Sequence, residues 1–319
     1  MRHPGWAFTK GLQDLGSGAY AWLQPDGSWG WSNAGLVTDG EESLLVDTLF
    51  DLRLTQEMLD AMRDAVPAAR ELGVVVNTHS NGDHTFGNQL VGDAVIIASK
   101  ACAEEMGEVP PSLMAEMVKR GADAGLSGAF FAEVFGVFHF EEVTLTPPTE
   151  TFEGRHLRRV GDKEVHLIEV GPAHTRGDVI VHVPGDAVVY TGDILFIEGH
   201  PIMWEGPIGN WIRACDTIIE LKPEVVVPGH GPLTHVDGVR EVQNYLVYLE
   251  HQARARFDAG MGAAEAARDI SLADYDSWGD AERIAVNVAT LYKEFDPHHP
   301  SLEGLDTFGL MAELRRDRR

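Results

Sequence analysis

Four stretches of this chain carry histidine and carboxylate side chains in a pattern that suits a bound metal ion. The stretch His79-Ser80-Asn81-Gly82-Asp83-His84 follows the apolar run Val74-Val75-Val76. His174 lies in "GPAHTRGD", Asp193 in "YTGDILF" and His230 in "VPGHGP". Each stretch follows an apolar run and leads into glycine or polar residues, which places it at the carboxyl edge of a sheet. A hydrolytic metal takes neutral imidazoles and a carboxylate and keeps one position open for water. It lowers the pKa of that water toward neutrality, so a nucleophile is available at working pH. A strand-end loop can direct Asp83 and His84 at one ion and His79 at a neighbouring one. Asp193 can bridge two ions or orient the water.

The elements that must hold these residues are legible in the hydrophobic pattern. Residues 20–47 alternate apolar and polar side chains between turn signals and read as short strands. Leu54, Met58, Leu59, Met62 and Val66 repeat at helical spacing up to Pro67. Val74–Val76 and Val95–Ala98 read as buried strands. Residues 101–140 are rich in Met, Phe and Gly and read as helices, either covering a site or packed on the surface. Strand signals return from Thr144, with a helix in "NWIRACDTIIELK", and beyond His235 the chain reads as helical to its end. Two βα halves of this kind imply a layered α/β architecture.

In this order the four stretches resemble the metallo-β-lactamase superfamily, whose signature is H-x-H-x-D-H followed by a His, a bridging Asp and a final His. The resemblance spans residues 15–235 and implies an α/β fold, a four-layer αββα sandwich with its site at one edge. It places a catalytic domain at 1–235, with a helical insertion at 101–140, and a C-terminal helical extension at 236–319. It also implies that His79, His174 and the Asn81 position form a first metal site. Asp83, His84 and His230 would form a second, with Asp193 bridging. The departure is Asn81, where the family usually has His. An amide oxygen is a poorer zinc ligand than an imidazole. The expectation is one tightly bound zinc at Asp83, His84, Asp193 and His230, and a weak or absent second ion at His79 and His174. Iron or manganese remain alternatives. Asp83, Asp193 and Asn81 are the expected catalytic groups: Asp193 orients or deprotonates water, and Asn81 stabilises developing charge.

The implied activity is hydrolysis of a small ester, thioester, lactone or related electrophile. Hydrolytic dehalogenation, a polyketide-type thioesterase or cyclase, and a non-heme iron oxidoreductase on the same fold are the alternatives. Of the remaining histidines, His200 follows Asp193 closely enough to be weighed as a pocket wall. Core packing is the expected role of Trp204 and Trp211, and a packed hairpin that of Trp29, Trp31 and Asn33. Gly82, Gly192, Gly229 and Gly231 are expected to let the backbone turn beside the metal.

Composition narrows the partners. The chain has 319 residues, 44% hydrophobic, enough for one sizeable domain with an appendage. Fifty acidic residues against 25 basic ones leave a formal charge of −25, which repels a polyanion, so no nucleic-acid partner is expected. The basic run Arg315, Arg316, Arg318 and Arg319 reads as a solvated tail. Cys102 and Cys215 read as buried thiols. There is no apolar run of membrane-spanning length and no secretory leader pattern, so a cytoplasmic protein acting on a small molecule is expected, with a homodimer left open.

Overall fold

The structure, a computed structural model, describes residues 1–300, 302 and 304–318. β1 (Gly11–Gly16), β2 (Ala19–Leu23), β3 (Ala34–Asp39) and β4 (Glu42–Val46) form an antiparallel meander. β5 (Val74–Val76), β6 (Val95–Ser99) and β7 (Glu150–Phe152) extend the same sheet in parallel. The switch to parallel pairing needs a crossover, and α1 (Leu52–Ala65) supplies it between β4 and β5. The second sheet runs β12-β11-β10-β9-β8, built from β8 (Arg155–Val160), β9 (Lys163–Glu169), β10 (Val179–Val183), β11 (Val188–Tyr190) and β12 (Val225–Val227). Only β11 and β12 are parallel in it, joined across α6 (Ile208–Leu221).

The alternation of side chains along each strand divides the interior into two cores. Ala21, Leu23, Leu44, Val46 and Val76 of the first sheet meet Val181, Val183, Val188, Tyr190 and Val227 of the second in one buried cluster between the sheets. The residues between them point the other way. Trp22, Leu45 and Val75 face α1, which buries Leu54, Met58, Leu59 and Met62. Ile180, Val189 and Val226 face α6 and α7 (Val236–Asp258) through Trp211, Cys215, Ile218 and Tyr245. Four layers result, helix–sheet–sheet–helix, as the resemblance implied. Each of the four buried α1 side chains contributes roughly 1.5–3 kcal/mol over exposure. Asp51 starts that helix by accepting the Leu54 amide at 2.7 Å.

Further helices lie outside the four layers. They are α2 (Gly82–Thr85), α3 (Lys100–Glu105), α4 (Pro111–Arg120) and α5 (Gly125–Phe135), then α8 (Ala263–Asp269), α9 (Ile284–Phe295) and α10 (Leu305–Asp317) after α7. α10 packs against α5, and α8 and α9 pack against α7. β1 lies where the sequence pattern shows no strand. It carries two glycines and buries no residue, so pairing with β2 decides it.

The arginine-rich end is also not the solvated tail expected. α10 buries Leu310, Met311 and Leu314. Arg315 pairs with Glu282 at 2.9 Å and with Glu133 at 3.6 Å, and Arg318 pairs with Asp276 at 3.3 Å. The apolar side chains between the arginines make the segment an amphipathic helix that docks. Arg319 lies outside the described residues.

Candidate metal centre

The site lies where strands of both sheets end. Parallel pairing of β4 and β5 aligns Val46 with Val76, so the residues just beyond, Asp47 and the 77–84 loop, meet. Asp47 accepts the Thr78 amide and hydroxyl, each at 2.7 Å, and its Oδ2 lies 2.9 Å from His84 Nδ1. His174 sits in the β9–β10 connection, Asp193 in a turn of 3-10 helix after β11 (Gly192–Ile194), and His230 after β12. The first sheet thus delivers His79, Asn81, Asp83 and His84, and the second delivers His174, Asp193 and His230. All seven of the residues singled out in the sequence converge.

The four imidazoles share one arrangement. Each places Nδ1 against an oxygen: His84 on Asp47, His79 on Thr78 Oγ1 at 3.1 Å, His174 on the Ile202 carbonyl at 2.6 Å and His230 on the Gly27 carbonyl at 3.1 Å. Thr78 Oγ1 gives its own proton to Asp47, so His79 Nδ1–H donates to it. With Nδ1 carrying the proton, each ring turns Nε2 inward. All four Nε2 atoms lie close to the Asp193 carboxylate, at 3.8 Å for His79, 3.0 Å for His84 and 3.4 Å for both His174 and His230. Asp83 Oδ2 lies 3.2 Å from His230 Nε2 and 3.9 Å from His84 Nε2.

Two convergent groups have ligand atoms within 4.8 Å of one another: His79, His84 and Asp193, and Asp83, His84 and His230. His79 Nε2 is buried and makes no hydrogen bond, and His84 Nε2 and Asp193 Oδ1, equally buried, face only each other at 3.0 Å. Polar atoms in that state are costly unless something else binds them. Imidazole and carboxylate donors converging on one point fit a divalent ion. Asn81 stands beside them, its Oδ1 2.8 Å from His174 Nε2.

The charges interlock. Burial disfavours charge on every group here. For His84 the carboxylates of Asp193, Asp47 and Asp83 outweigh it and hold the pKa well above the usual value. Burial likewise opposes charge on His230, yet Asp193 and Asp83 lift it to about 9. Asp193, buried but surrounded by His230, His84, His79 and His174, is held well below the ordinary carboxylate range. His79 and His174 are lowered, by burial first. Close packing completes the cradle. A Cβ at Gly229 would lie 2.0 Å from Asp193 Oδ1, and Gly231 holds φ +91° with Ile197 O against it.

Above the cluster opens a cavity of about 560 Å³. Asn81, Asp83, His174, Asp193 and His230 line its floor, and Met, Phe and Trp side chains form the walls. Trp211 is core, as expected, and donates to the Ile194 carbonyl at 2.9 Å. Trp204 instead lines the cavity, and Trp29 does so while donating to Glu282 at 2.9 Å. His200 does not line the cavity. It is fully buried between Tyr245 and Trp278, and burial with Arg283 nearby keeps its pKa at about 3.

Sequence reasoning missed Asp47, Arg283 and the bracing role of Asn33. Asp47 carried a readable signal, since it ends an apolar strand just as Asp193 does. Asn33 donates to the Pro228 and Gly231 carbonyls at 3.0 and 2.8 Å and holds the His230 turn. Arg283 comes from the far end of the chain and has no local signal. Its guanidinium lies over Trp29 and Phe196, at 4.5 and 5.1 Å from the ring centroids.

Comparison with known proteins agrees with this geometry. The model of the metallo-beta-lactamase superfamily matches residues 27–230. A hydroxyacylglutathione hydrolase of Fuscovulum blasticum is 33% identical over 75 residues, 23% of this chain and 29% of that protein. An inverting sec-alkylsulfatase of a Pseudomonas species superposes with TM-score 0.67 at 18% identity, covering 91% of this chain and 51% of that one. A metallo-beta-lactamase from Pontibacter korlensis superposes with TM-score 0.55 at 19% identity, covering 74% of this chain and 98% of that one. The chain therefore spans about half the length of the sulfatase and less than a third of the curated hydrolase. Among the described residues no helix is long and apolar enough to cross a membrane.

Proposed function

The chain belongs to the metallo-β-lactamase superfamily, and we propose that it is a metallo-hydrolase acting on a small ester, thioester, lactone or related electrophile. The observation that supports this reading is the shared orientation of four imidazoles, each pinned through Nδ1 with Nε2 turned toward Asp193, beneath an open cavity. Asp83, His84, Asp193 and His230 would hold a tight ion, zinc by the chemistry of its N and O donors, and His79 and His174 a weaker one. When bound, the ion would supply Lewis acidity and activate water near neutral pH.

The chain's own residues do the rest. Asp83 and Asp193 accept hydrogen bonds from the attacking water and orient it toward the substrate carbon. Asn81 offers an uncharged amide at the cavity floor, where charge develops on the substrate oxygen. Asp47, Thr78 and the Ile202 and Gly27 carbonyls hold the imidazole tautomers. Residues 1–235 act as the catalytic unit, and the helices of 101–140 and 236–319 shape the substrate cavity.

Elemental analysis of the purified protein beside an Asp83→Ala variant tests this, with ester and thioester hydrolysis followed before and after chelation. About one zinc per chain, lost in the variant together with hydrolysis, is the expected result. A metal-free preparation of unchanged stability would defeat the proposal. Iron with oxygen consumption would replace it with an oxidoreductase.

A further inference from the structure

The cavity is chemically two-sided. Its floor carries the imidazoles and carboxylates described above. The wall facing them comes from α4, α5 and α10, through Met114, Met117, Phe131, Phe135 and Phe308. Those helices lie beyond the strand ends that make the floor, so the apolar wall is a separate structural investment. Phe308 of α10 rests on Phe131, with ring centroids 5.5 Å apart, which ties the C-terminal helix into this wall.

The apolar surface continues outward. Val109, Leu113 and Trp204 line the cavity and yet are 54%, 40% and 38% exposed. Large apolar groups left in water at the rim of a cavity mark a surface meant to be covered. An apolar strip therefore runs from floor to rim, continuous with the metal centre.

Charge at the mouth adds a second constraint. Glu105, Glu108 and Glu205 line the cavity, and the one arginine on them, Arg176, pairs with both Glu105 and Glu108. Three carboxylates against one guanidinium leave the entrance negative. Among the described residues lining the cavity, Arg283 is the only arginine or lysine, and it already pairs with Asp280 at 3.1 Å. An anionic group at the far end of a substrate tail would meet repulsion at the rim.

We propose that the α4–α5–α10 wall is a subsite for an uncharged alkyl chain of the substrate, which runs from the metal centre past Leu113 to the rim. This rests on the hydrolase reading for its reaction and on the cavity alone for its ligand. The chain gains affinity from burial of methylenes, while the acidic mouth rejects tails ending in a carboxylate. A hydroxyacylglutathione-like thioester, with its charged leaving group, is thus a poor substrate.

The test is a chain-length series on the metal-loaded protein, acetyl to decanoyl p-nitrophenyl esters and the matching thioesters and alkyl sulfates. A hexanoyl tail that stays inside the wall gains about fourfold per methylene over acetyl, on the order of 100-fold in kcat/KM. Octanoyl should exceed its ω-carboxylate analogue by at least about tenfold. In Leu113→Glu the octanoyl-to-acetyl ratio should fall about tenfold, and in Met117→Glu likewise, with thermal midpoints confirming folded protein. A flat series with measurable turnover overturns the subsite and leaves the hydrolase reading intact.

A second readout needs no turnover: calorimetric titration with 1-octanol against 1-butanol. Octanol binding at least tenfold tighter, weakened by Leu113→Glu, supports the subsite even if no ester, thioester or sulfate is cleaved, in which case the hydrolase reading fails alone. Equal, weak binding of both alcohols overturns it. So does a Leu113→Glu protein that changes its oligomeric state but not its chain-length profile, because the rim is then a contact between copies.

Discussion

Metal uptake by this protein should displace protons, and the number can be worked from the site. In the metal-free protein His84 and His230 each donate Nδ1–H outward and turn Nε2 toward carboxylates. Both pKa values are raised, that of His230 to about 9, so at pH 7 both rings are imidazolium. An incoming cation needs both Nε2 lone pairs. For His230, pH 7 is two units below its pKa, so losing the proton costs about 2.7 kcal/mol, about 100-fold in affinity. Each displaced proton lowers apparent affinity about tenfold per unit of acidification, so two give about 100-fold per unit.

The stability of the metal-free fold changes with pH in the opposite sense. The stabilisation that protonated His230 gives the metal-free fold is complete below about pH 6.5 and is lost as pH rises through about 9. Calorimetric titration of chelator-treated protein with zinc, repeated at pH 7 in buffers of different ionisation enthalpy, counts the protons. About two should be released, falling to about one in His230→Gln. Release of fewer than one proton in the wild-type protein would refute the charge assignment at this centre.

Two further outcomes follow from the packing. Asp47→Asn removes the carboxylate that accepts His84 Nδ1–H and frees that ring to adopt the other tautomer; zinc affinity measured by competition with a chelator should fall about 10- to 100-fold, while the thermal midpoint with saturating metal stays within a few degrees. His200 has a folded pKa of about 3 and two ring nitrogens without hydrogen-bond partners. A depressed histidine pKa makes its contribution complete above about pH 6.5 and lost as pH falls toward 3, about 1.4 kcal/mol by pH 5.5. His200→Leu should therefore flatten the pH dependence of urea unfolding between pH 7 and 5 by about 1.9 kcal/mol, and an unchanged slope would show that burial does not depress the His200 pKa.

The four site stretches and a layered α/β architecture were legible in the sequence because both depend on short-range pattern, whereas the four-layer sandwich followed only from the family resemblance. An apolar strand that stops at a histidine or aspartate writes its end locally, as at Val76, Tyr190 and Val227, and alternation along each strand states which face is buried. Asp47 obeys the same rule and was readable in principle. What the tertiary structure alone decided comes from contacts across the chain. Asn33 reaches the His230 turn from 195 residues away, donating to Pro228 O. Arg283 enters the cavity from the last quarter of the chain, and His200, adjacent in sequence to the site, points into a separate core. The alkyl wall is of the same kind: Met114, Phe131 and Phe308 are ordinary core residues by composition. They become a substrate surface only because α4, α5 and α10 pack beside a floor of charge, and side-chain burial depends on that packing rather than on residue type.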